Sequence, residues 1–117
     1  MSIQRFGVGP RMSQAVVHGD TVYLAGQVAN NAAGKSVSEQ TKDILATIDR
    51  LLAEAGSDKT QLLSATIYLT DIGTFAEMNA VWDAWVAKGA TPARATVEAK
   101  LAAPQFTVEI ACIAAKA

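Results

Sequence analysis

The sequence predicts an α+β fold, one mixed β-sheet with two helices packed on one of its faces. Three observations carry this. Two segments repeat apolar residues at helical spacing, several short runs are apolar or alternate as strands do, and the order reads β-β-β-α-β-α-β-β. The chain has 117 residues, half of them apolar and 18% charged, which suits a single domain over residues 1–117. A chain of this size buries roughly two thirds of its unfolded surface and needs no covalent staples.

The elements follow in order. Ile3–Phe6 is a short strand, closed by Gly7-Val8-Gly9-Pro10. Ala15–His18 and Thr21–Ala25 flank Gly19-Asp20, the pattern of a hairpin with a type II′ turn. Residues 26–34, with Asn30-Asn31 and Gly34, read as loop. Ser36-Val37-Ser38-Glu39 has the spacing of a capping box, and Val37, Thr41, Ile44, Leu45, Ile48, Leu51, Leu52 and Ala55 follow on one helical face before Gly56. Leu62–Thr70 is a strand. Thr74-Phe75-Ala76-Glu77 is a second capping-box pattern, opening a helix with a stripe of Phe75, Met78, Val81 or Trp82, and Trp85, closed near Gly89. Ala93–Ala99 alternates, with Arg94, Thr96 and Glu98 on one face, and Phe106–Ala115 is a long apolar strand.

Dimensions then limit what the helices can cover. Six strands at about 4.8 Å span about 29 Å, whereas two helices of about 10 Å diameter cover about 20 Å. They blanket one face and not both. Yet the last strand is apolar on both, with Val108, Ile110 and Cys112 against Ala111, Ile113 and Ala115. An apolar sheet face left wet is an association site, so a homo-oligomer is expected.

Composition narrows the function classes. Ten basic and eleven acidic residues give a formal charge of -1. The basic ones are scattered rather than gathered in a stripe, so nucleic acid is not an expected partner. One histidine and one cysteine do not make a typical His/Cys metal site, and no cofactor is expected. No apolar run reaches the roughly 18 residues of a membrane span. Cys112 has no partner in its own chain and Met1–Phe6 has no leader pattern, so a reducing cytoplasm is the expected compartment.

Two charged residues stand out. Glu109 is the only charge between Phe106 and Ala115. A carboxylate in such a strand costs several kcal/mol unless paired or hydrogen-bonded, about the size of the penalty for any buried ion. It is either satisfied by an arginine, placed at the sheet rim, or kept as an acid–base group beside an interface. Arg94 opens a strand after Thr91-Pro92-Ala93. Its planar fork matches a carboxylate in two parallel hydrogen bonds, and the alternative is an ion pair with Glu98, Glu109 or a neighbouring chain. His18 reads as a solvated turn residue, Cys112 as a small core side chain, and Trp82 and Trp85 as packing residues. Asn79, inside the second helix, is consistent with simple exposure.

Ser13-Gln14-Ala15, Ala25-Gly26-Gln27, Thr91-Pro92-Ala93-Arg94-Ala95-Thr96-Val97-Glu98-Ala99 and the ending Val108-Glu109-Ile110-Ala111-Cys112-Ile113-Ala114 together resemble the Rid/YjgF family, in order and over essentially the whole chain. The resemblance implies a chorismate-mutase-like fold assembled as a homotrimer, with the sheets forming a central barrel and sites in the clefts between subunits. Deaminase members hydrolyse reactive 2-imino or enamine acids to 2-keto acids and ammonia. Carried over, Arg94 would clamp the substrate carboxylate and Glu109 would hold and activate water. Gly26 would bring its backbone close to the ligand, Asn79 falls where the family has a site asparagine, and Thr96 falls at a position often held by cysteine. The chain departs from the pattern at Met12, where deaminases commonly carry tyrosine, and at Ala25, where they often carry serine. Both changes favour a more apolar site. Two other activities fit the resemblance, a non-catalytic trimer binding small carboxylates and an RNA-cleaving or translation-inhibiting protein. The acidic balance and the lack of a histidine pair weigh against the last.

Overall fold

A computed structural model describes residues 2–117. Seven strands form one sheet: β1 (Ile3–Phe6), β2 (Ala15–His18), β3 (Thr21–Leu24), β4 (Gln27–Val28), β5 (Leu62–Leu69), β6 (Ala93–Glu98) and β7 (Val108–Ala115). Their order is β1-β2-β3-β7-β5-β6, with β4 also paired to β7. β5 and β6 are parallel and the other neighbours antiparallel. Helix α1 (Val37–Glu54) joins β4 to β5, and α2 (Phe75–Trp85) joins β5 to β6. Both helices connect strands of like direction and step the same way across the sheet. Right-handed crossovers therefore put both on the same face.

Burial follows that layering. On β7, Val108, Ile110, Cys112 and Ala114 lie beneath the helices at 2% exposure or less, while Glu109, Ala111, Ile113 and Ala115 remain half-buried on the other side. The short axis of the molecule is 21 Å, the thickness of one sheet and one helix layer. The second face of the sheet is open. Tyr23 on β3 and Val97 on β6 stand on it, 45% and 41% exposed.

Local chemistry explains most elements. Gly19 takes φ +59° while Asp20 stays in the ordinary region, and His18 pairs with Thr21, so the hairpin turn is type II′. Ser36 Oγ accepts from Glu39 N at 3.1 Å to start α1, and all eight apolar-stripe positions named for this helix are buried. Gln40, on the same helix, is fully buried without being apolar. Its amide donates to the carbonyls of Lys35 and Gln105 and accepts from Thr107 N, tying the β6–β7 loop to the start of α1.

Four expectations need correction. Residues 26–34 are not all loop, because Gln27 pairs with Ile110 and Val28 with Glu109. From Tyr23, opposite Ile113, to Gln27, opposite Ile110, this edge takes four steps against three on β7. The extra residue is a bulge at Ala25-Gly26 that turns Gln27 toward the helices. Thr74 is not a side-chain cap for α2. Its hydroxyl donates to Asp71 O, and Glu77 is spent on Ser38 N at the start of α1, 2.8 Å away. α2 stops at Trp85, well before Gly89, since Val86 is extended. β7 likewise begins at Val108 rather than Phe106, with the Thr107 amide taken by Gln40.

Candidate functional site

Arg94, Thr96 and Glu98 pair with Ala65, Ile67 and Leu69 of β5, which face the helices. Arg94 therefore rises from the edge strand toward α2. Its guanidinium carbon lies 5.3 Å from the Trp82 ring centre and 5.8 Å from that of Phe75. These rings are seven residues apart on α2, about 10.5 Å along the helix axis, so the guanidinium sits in the notch between them. Asn79 lies between the two on the same side of the helix. Its Oδ1 and the Thr96 Oγ1 are buried without a hydrogen-bond partner, an unfavourable state for a polar atom unless a ligand or water arrives.

No ion pair or hydrogen bond engages Arg94 among the described residues. Glu98, the nearest acid in sequence, instead accepts from Ile72 N at 3.0 Å. The proposed ion pairs of Arg94 with Glu98 or Glu109 are thus absent within this protomer, and its five N–H donors are free.

The second group lies on the open face. Glu109 is half-buried, opposite Tyr68 on β5 and Val28 on β4. Its carboxylate has no hydrogen-bond or ion-pair partner among the described residues. Gly26 is what gives it room. A Cβ on Gly26 would sit 3.0 Å from Glu109 Cδ and closer still to Oε2, so any larger residue displaces the carboxylate. Ala25 is fixed by its N–H to Gln14 O and by its carbonyl, which accepts from Gln27 Nε2. Met12 is 47% exposed in the β1–β2 loop, its carbonyl held by Gly9 N.

The structure therefore gathers Arg94, Asn79 and Thr96 in one place and Glu109, Gly26 and Ala25 in another. It does not bring the two sets together in one chain. Arg94 is opposite Ala65 and Glu109 opposite Tyr68, on strands flanking β5. That puts their α-carbons about 14 Å apart with side chains on opposite faces. A small acid cannot touch both from a single protomer.

The remaining candidates settle as packing or surface groups. His18 is exposed beside the Gly19-Asp20 turn. Cys112 is buried, and desolvation pushes its thiol up to about 12, far from a reactive thiolate. Trp85 donates to Asp49 Oδ2 and carries Lys59 over its ring. A groove of about 530 Å³ between α1 and α2, floored by Leu45, Val81 and Trp85, reaches neither Arg94 nor Glu109. The sequence marks Phe75 and Trp82 as packing residues only. Their signal was the seven-residue spacing with an amide between, which places two rings and a polar group along one helix face.

The endoribonuclease L-PSP family model matches residues 3–116. A RutC family protein of Haemophilus influenzae is 46% identical over 114 residues, covering 97% of this chain and 98% of its own. The RutC family protein YoaB of Escherichia coli K12 is 44% identical over 115 residues, covering 98% and 99%. A crystal structure of a YjgF-family protein from Neisseria meningitidis has a TM-score of 0.96 at 55% identity, covering 100% of this chain and 97% of that one. With likeness of this extent in both sequence and fold, the chain belongs to the YjgF/RutC (Rid) family.

Proposed function

We propose that this protein hydrolyses reactive 2-imino or enamine acids, such as 2-iminobutanoate or 2-iminopropanoate, to 2-keto acids and ammonia, at sites shared between subunits of a homotrimer. The observation that carries the reading is Arg94, a cation at a sheet edge held by aromatic rings with its hydrogen-bonding face unspent. A guanidinium left open in this way is a receptor for a planar carboxylate. Glu109 offers an unengaged carboxylate on the opposite sheet face, so a neighbouring copy on the apolar face supplies the half that each chain lacks.

The chemistry needs little more. The imine carbon is electrophilic, and two hydrogen bonds to Arg94 fix it relative to an attacking water. The imine reacts in its protonated form, and Glu109 takes one water proton as oxygen bonds to carbon, giving a neutral carbinolamine. The proton passes to nitrogen, the C–N bond breaks as the C–O bond becomes double, and ammonia leaves with the hydroxyl proton taken up by Glu109 and released. The sum is imine plus water to keto acid plus ammonia. Acid–base assistance of this kind contributes roughly 10²–10⁴-fold. Met12 and Ala25 put apolar groups where hydroxyls are common in deaminases of the family, which suits an imine with a hydrocarbon side chain.

The purified protein is expected to speed keto-acid release from the product stream of a threonine dehydratase, and to elute as three chains by light scattering. No acceleration over buffer sinks the enzymatic reading. Keto-acid binding without turnover favours the carboxylate-binding alternative, and RNA cleavage that weakens with salt favours the third. Gly26→Ala offers a sharper check. Glu109 is flexible and swings aside, so the melting temperature is expected to stay within about 3 °C of wild type, since a ΔΔG of 1 kcal/mol shifts a domain of this size by about 4 °C or more. The relocated carboxylate is expected to lower kcat about tenfold or more, with KM nearly unchanged. A Gly26→Ala enzyme with full kcat would separate Glu109 from catalysis.

A further inference from the structure

We infer that Trp82 is the positioning residue for Arg94, holding the guanidinium in place through the face of its ring so that no carboxylate of the protein is needed to hold it. This rests on the reading of Arg94 as the carboxylate clamp. An arginine at an edge strand is ordinarily fixed by an acid, and that acid would occupy the hydrogen bonds a substrate requires. Here Glu98, the nearest acid in sequence, accepts from Ile72 N instead. What fixes Arg94 is the notch on α2, with Trp82 the nearer ring.

The two rings differ in a way that assigns their roles. Trp82 is 5% exposed, with the Trp85 ring 5.4 Å away. Phe75 is 41% exposed. A buried ring with a negative π face attracts a cation without spending its N–H groups, and indole does so best among the side chains. The guanidinium is thereby oriented before ligand arrives, and less freedom is lost on binding. Phe75 closes the outer side of the notch and contributes less.

The test measures the affinity of 2-ketobutanoate by calorimetry, alongside turnover. Trp82→Leu is expected to weaken binding about tenfold and to raise KM by a similar factor, with kcat within about twofold, because the clamp and not the acid–base group is disturbed. Trp82→Tyr keeps an aromatic face and is expected to restore affinity to within about threefold of wild type. Phe75→Leu, at an exposed site, is expected to weaken binding two- to threefold and serves if Trp82→Leu does not fold. In an Arg94→Ala background, Trp82→Leu is expected to have no further effect on affinity, which a general loss of packing would not reproduce. Unchanged affinity in Trp82→Leu, or equal losses with and without Arg94, overturns the inference. A wild type that binds 2-ketobutanoate but turns over no imine overturns the deaminase reading alone, and the Trp82 comparison still decides the inference. A wild type that neither binds 2-ketobutanoate nor turns over an imine overturns both.

Discussion

A one-to-one mixture of Arg94→Ala and Glu109→Gln chains, unfolded and refolded together, is expected to regain about a quarter of wild-type deaminase activity, although each variant alone is nearly inactive. In the proposed cyclic trimer each site would take its guanidinium from one chain and its carboxylate from the next. Random assembly gives an intact arginine in half the positions and an intact glutamate in half of the neighbouring ones, so about a quarter of the sites are whole. If both residues served one site from the same chain, no mixture would contain a whole site and activity would stay at the level of the variants. The opposed faces of Arg94 and Glu109 on β6 and β7 make the first outcome the expected one. Mixing the separately folded variants without unfolding them gives the control, since activity then appears only as fast as subunits exchange.

Arg94→Ala is expected to reduce kcat/KM roughly 10³-fold, about 4 kcal/mol, the loss of two charge-assisted hydrogen bonds to the carboxylate and of the alignment they impose. Stability should fall by no more than about 1 kcal/mol, because the side chain is exposed and gives up its ring contacts but no ion pair. Arg94→Lys keeps the charge but not the fork, and is expected to recover less than a tenth of the loss. The coupled assay reads the rate and thermal melting the stability. An Arg94→Ala enzyme within tenfold of wild type would remove the carboxylate clamp from the mechanism. Glu109→Gln should give the complementary result, with kcat down roughly 10²–10⁴-fold and keto-acid affinity retained.

Much of this was legible in the chain, and what was not had physical reasons. The stripe on α1 was readable because a long amphipathic helix repeats its period five times over. Apolar residues on both faces of β7 pointed to an uncovered sheet face, since hydrophobic burial follows area and not topology. β4 escaped because it has two residues and follows Gly26, a residue that reads as turn when isolated from its pairing. Thr74-Phe75-Ala76-Glu77 matches a capping box by spacing, but Glu77 has a competing use 2.8 Å away on the other helix. Tertiary contacts of that kind leave no local signature. The same holds at the site. Arg94 and Glu109 were recognisable by type and by resemblance, whereas their opposite orientations depend on strand register. The Trp82 ring beneath Arg94 depends on how α2 packs across β6.

The surplus residue at Ala25-Gly26 makes backbone count, as well as side-chain identity, a specification of this protein. Removing or adding one residue between Leu24 and Gln27 would exchange the sidedness of Gln27 and Val28, driving valine under the helices and the amide outward beside Glu109. Diversification schemes that vary composition there can be permissive, while those that vary length are expected to yield almost no working progeny.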